Sequence, residues 1–118
     1  PSAGHAGKYF LKALKVKSKL ISEINKAFEK FDYLISPTAP VQPFKFGEKI
    51  DDPVTLMLLD YNTVTANLTG KPAISVPYRV INGLPIGMQI MANSLNEKSL
   101  FQSAYALESK TNLPEVPL

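Results

Sequence analysis

Three short apolar runs constrain this chain more than any other feature: Tyr33-Leu34-Ile35, Ala73-Ile74-Ser75-Val76-Pro77 and Pro85-Ile86-Gly87-Met88-Gln89-Ile90-Met91. They are near-continuously apolar, so as strands they need cover on both faces and neighbours on their edges. Asn82-Gly83 is a strong turn dipeptide, and the two runs flanking it predict a hairpin. Three strands make a small sheet for such runs. The expectation is an α/β chain that is an incomplete portion of a larger fold. Pro1 standing directly before a helical pattern, with no initiating methionine, fits the same expectation.

The helices are read from period and punctuation. Between Lys8 and Phe31 no proline occurs, and Phe10, Leu14, Ile21, Ile24, Phe28 and Phe31 recur three, four or seven apart with lysines between them. That pattern predicts one long amphipathic helix within residues 1–31. Ser36-Pro37-Thr38-Ala39-Pro40 opens a proline-stiffened loop, because each proline pushes the residue before it out of helical space. Asp52-Pro53 is a helix start, a capping carboxylate followed by proline at the first helical position. Helices are therefore expected at Val54–Leu59 and about Tyr61–Leu68, the second closed by Gly70. A last helix near Glu97–Lys110 carries Leu100, Phe101, Ala104, Tyr105 and Leu107 as its apolar stripe, with Pro114 and Pro117 beyond it.

Composition narrows the function classes. Hydrophobic residues at 45% and charged residues at 19% describe a globular chain, not a disordered one. No run approaches the roughly 18 consecutive apolar residues of a membrane span, and no signal peptide is visible. With no cysteine there is no disulfide framework, which suits the cytoplasm. The net charge of +3 is uneven, with seven lysines against three acidic residues in residues 1–32. A lysine-rich helix can touch phosphate, but a solvated outer face explains it more simply.

Few residues invite chemistry. One histidine, His5, and no cysteine make no zinc site or recognisable Ser-His-acid triad, and the six glycines form no phosphate-cradling loop. Asp51 and Asp52 suit a helix cap better than a metal. Asp60 stands out because it follows Leu56-Met57-Leu58-Leu59 and precedes Tyr61. A carboxylate in such company must cap, pair or act, since burying an unpaired charge is costly. From pattern alone a cap or junction is the simpler reading.

Longer matches add to this. Asn67-Leu68-Thr69-Gly70-Lys71-Pro72-Ala73-Ile74-Ser75-Val76-Pro77, then Asn82-Gly83-Leu84-Pro85-Ile86-Gly87-Met88-Gln89-Ile90, resembles the C-terminal signature of the amidase-signature family. Upstream, Asp32-Tyr33-Leu34-Ile35-Ser36-Pro37-Thr38-Ala39-Pro40 resembles a second stretch of that pattern. Phe44 to Pro53 and Asp60-Tyr61-Asn62-Thr63-Val64 look like the subgroup of A subunits of aspartyl/glutamyl-tRNA amidotransferases. Ser2-Ala3-Gly4 agree with that subgroup, whereas His5-Ala6-Gly7 depart from it. Lys71 stands where a small or apolar residue is common.

The resemblance implies an α/β/α fold with a mixed sheet covered by helices, of which residues 1–118 would be a C-terminal portion. Residues 1–31 would be its long helix and 32–118 strands and helices of the amidase core. It also implies a lysine, a cis-serine and a nucleophilic serine that hydrolyse an amide while backbone N–H groups hold the oxyanion. All three would lie N-terminal to Pro1, leaving no catalytic residue in this chain and no activity in it alone. In the subgroup the amide is glutamine. Its ammonia reaches a partner that activates misacylated tRNA with ATP and magnesium, so B and C subunits are the implied partners and this segment carries no cofactor. Asp60 matches the position whose carboxylate meets the α-amino group of glutamine, a role suited to an acceptor-only group. Two other readings stay open here: a fragment of an amidase acting on simple amides, and a noncatalytic binding domain.

Overall fold

The Lys8–Phe31 periodicity folds as one helix, α1 (Ala3–Lys30), in the computed structural model of the chain, which describes residues 3–48 and 51–113. Its lysines all lie on exposed positions, as a solvated face requires. The helix is anchored only at its C-terminal end: Leu20, Ile21, Ile24, Ala27 and Phe28 are half-buried, whereas every residue from Ala6 to Lys19 is exposed. Phe10 and Leu14, which continue the apolar stripe, are therefore bare.

Three strands follow the expected runs: β1 (Tyr33–Pro37), β2 (Ala73–Ile81) and β3 (Leu84–Ala92), in the order β1-β3-β2. Both pairings are antiparallel, so the mixed character expected of the whole fold is not carried by these three strands. The hairpin forms where predicted. Asn82 and Gly83 take φ of 53° and 76°, the left-handed pair of a two-residue turn whose twist matches its strands. β2 runs past Pro77, where sequence reading ends it. Pro77 sits on an outer strand next to a register irregularity, and its missing N–H costs no ladder bond there.

One face of the sheet is closed by α4 (Glu97–Glu108). Val76, Ile90, Ala92, Leu100 and Ala104 form the buried core, with Tyr33, Ile74, Met88 and Leu107 packed around it. Tyr33 anchors the helix to β1 by donating to the Ser99 carbonyl at 3.1 Å. The expected α4 stripe divides: Leu100, Ala104 and Leu107 point inward, while Phe101 and Tyr105, one position round the helix, are exposed. The helix ends at Glu108, short of Lys110, and Pro114 and Pro117 lie outside the described residues.

Two short helices cross the other side. α2 (Pro53–Leu59) starts as predicted: Asp52 accepts from the Thr55 hydroxyl at 2.8 Å and from the Val54 amide at 3.1 Å. Those two bonds, the hydroxyl first, hold the Asp52 carboxyl below its ordinary range. The second helix, α3 (Val64–Thr69), is shorter than expected. Tyr61–Thr63 make a turn instead, in which the Asp60 carbonyl accepts from the amides of Thr63 at 3.1 Å and Val64 at 3.0 Å, and regular helix begins only at Val64. Gly70, at φ 65°, closes α3.

Much apolar surface is left uncovered within the chain. α2, with sequence PVTLMLL, has no fully buried side chain, only Thr55 and Leu59 being half-buried. The surface is 9384 Å², against about 6,300 Å² for a compact monomer of this mass. The radius of gyration is 17.6 Å, against about 13.5 Å for a compact domain of this length. An excess of about 3,000 Å² on one side is well above the roughly 800 Å² per partner of a standard protein–protein interface.

Candidate active-site wall

Opposite α4, the sheet presents polar groups in register. Ser36 of β1 and Ser75 of β2 both pair with Gln89 of β3, so the period of two sets all three on one face. One step along, Thr38 donates its amide to the Gly87 carbonyl at 3.1 Å, and its hydroxyl lies 2.5 Å from that of Ser75. A Cβ at Gly87 would come within 2.6 Å of Ser75 Oγ and 2.9 Å of Thr38 Oγ1. Glycine here makes room for two hydroxyls. Gly87, Thr38 and Ser75 also border a cavity of about 280 Å³ that reaches Phe44, Leu59 and Ile86.

Gln89 is the centre of the row. It is 6% exposed, and its Nε2 donates to the Asn62 carbonyl at 2.9 Å and, at 3.4 Å, to Ser36 Oγ. Asn62 answers by donating Nδ2 to the Pro37 carbonyl at 2.9 Å. Two amide side chains thus tie the turn between α2 and α3 onto β1 and β3. A larger cavity, about 500 Å³, opens beside this junction, with Leu34, Ser36, Met57, Tyr61, Asn62 and Gln89 among its walls.

Asp60 occupies that same turn. It is the C-cap of α2 and exposed, its backbone N–H donating to the Leu58 carbonyl. Its backbone has the junction role that pattern suggests. Its carboxylate makes no hydrogen bond or ion pair with the described residues and is not among the cavity's walls, although Met57, Tyr61 and Asn62 around it are. The His5 side chain lies outside the described residues. Among those described, no three His, Cys, Asp or Glu side chains gather where they could hold a metal ion.

Gln89, Asn62 and Ser36 were not singled out by residue type. The available signal was period: one amide buried in an otherwise apolar strand must find partners.

A family model described as Amidase matches residues 1–101. The chain belongs to the Amidase family. This amidase chain is 53% identical over 116 residues to the A subunit of glutamyl-tRNA(Gln) amidotransferase of Cenarchaeum symbiosum, covering 98% of this chain and 24% of that protein. It is 49% identical over 111 residues to the protein of the same name from Methanosarcina mazei, covering 94% and 23%. Among solved structures, the A subunit of glutamyl-tRNA(Gln) amidotransferase from Thermotoga maritima superposes with a TM-score of 0.88 at 41% identity, covering 97% of this chain and 25% of that one. The amidase segment therefore spans about a quarter of the length of the relatives it matches. No helix among its described residues is long and apolar enough to cross a membrane.

Proposed function

We propose that this chain is the portion of a glutamine-hydrolysing amidotransferase subunit that builds one wall of the glutamine site. The observation that carries this reading is its likeness, over nearly its whole length, to proteins named as the A subunit of a glutamyl-tRNA(Gln) amidotransferase. The uncovered faces of α1 and α2 support a role as part of a larger body. In this reading the lysine, cis-serine and nucleophilic serine come from polypeptide outside these residues, and the segment alone hydrolyses nothing. The ammonia released is passed to B and C partner subunits in the cytoplasm. There ATP and magnesium, bound by the partner, activate misacylated tRNA.

Asp60 is assigned the α-ammonium of glutamine. A carboxylate with no partner among the described residues of its own segment, on a turn hydrogen-bonded to the sheet beside a cavity, suits a ligand cation that arrives with its own charge. The test is Asp60→Ala in the full-length protein. A charge-assisted hydrogen bond is worth about 1.5–3 kcal/mol, so KM for glutamine should rise about 10- to 150-fold. Hydrolysis of an amide lacking the α-amino group should change little. An unchanged KM for glutamine returns Asp60 to a purely structural role.

A further inference from the structure

We infer that Gln89 and Asn62 are positioning residues for glutamine binding, a reciprocal amide clamp that fixes the turn carrying Asp60; this rests on the reading of Asp60 given above. Packing on either side of the turn is partial. In α2 Thr55 and Leu59 are only half-buried, and α3, which lies against α1, fully buries Thr69 alone. Apart from bonds within the turn and its flanking helices, the hydrogen bonds joining it to the sheet, among the described residues, are Gln89 Nε2 to the Asn62 carbonyl and Asn62 Nδ2 to the Pro37 carbonyl. In one Asn62 accepts through its backbone and in the other it donates through its side chain, so the pair fixes both parts of that residue.

The orientation of Gln89 follows from its partner. A backbone carbonyl only accepts, so the side-chain nitrogen must face Asn62. Methionine at position 89 would keep the length and fill the space but lose the donor. The Asn62 carbonyl would then stand unpartnered beside a side chain that cannot bond it, and the turn would be free to shift. A displacement near 1 Å is enough to loosen a contact that depends on hydrogen-bond distance.

The experiment uses the full-length protein with Gln89→Met, Asn62→Ala and Asp60→Ala measured side by side. Gln89→Met should raise KM for glutamine about tenfold, with a smaller loss in kcat, the scale of one hydrogen bond. Amide exchange at Asn62, Thr63 and Val64 should quicken about tenfold while β3 and α4 keep their protection. Asn62→Ala should move both readouts the same way, and it stands in if the position-89 variant does not fold. A normal KM in both clamp variants beside a raised KM in Asp60→Ala overturns the clamp and leaves the Asp60 reading intact. A normal KM in Asp60→Ala overturns that reading and this inference with it.

Discussion

At the scale of single residues, the sheet's middle strand presents apolar side chains to one face and a polar one to the other. Ile90 is 3% exposed, paired on both sides by Ile35 and Ile74 and capped by α4. Ile90→Ala in the full-length protein should cost about 2–5 kcal/mol, read as a lowered denaturation midpoint. A loss under about 1 kcal/mol would mean that the core lies elsewhere. The neighbouring residue, Gln89, faces the other way and meets polar partners, so adjacent positions serve different ends. Residue type alone does not reveal this. Ser36, Ser75 and Gln89 sit far apart in sequence, and only the register of three strands makes them one row. Asp52 was legible because a cap acts locally, on the residues just after it. The surroundings of Asp60 were not, because they are set by a turn folded against a strand about thirty residues away.

Among elements, the hairpin is the most legible piece and the most testable. Its turn demands positive φ at both central residues, which asparagine tolerates and glycine adopts freely. Gly83→Val in the full-length protein should therefore destabilise it by about 1–2 kcal/mol, whereas Asn82→Gly should be close to neutral in the same denaturation measurement. Equal stability of Gly83→Val and the parent would show that the turn does not fix the register. The long helix was equally plain from its period. Sequence reading erred at the start of α3, where Tyr61–Thr63 form a turn and the regular helix begins only at Val64. It also erred at Pro77, where tertiary placement on an outer strand overrides the usual stop. In α4, an apolar count could not say that only Leu100, Ala104 and Leu107 face inward, since that depends on where the sheet lies.

For the whole molecule, the governing fact is surface. A chain of this mass exposing 9384 Å², with an apolar helix that has no fully buried side chain and a long helix bare over its first half, is shaped to be covered. The near-continuous apolar strands announced that need in the sequence, and the match to about a quarter of each longer relative accords with it. In the proposed reading, the polar row on the sheet face crossed by α2 and α3, the clamped turn and Asp60 form a wall that is completed only by the rest of the protein. A structure of the full-length protein with glutamine bound tests this most directly. The separation between the Asp60 carboxylate and the ligand's amino nitrogen should be about 3 Å, a charge-assisted hydrogen bond. A glutamine bound with its amino group beyond about 6 Å, held by other residues while Asp60 faces solvent, would contradict the account.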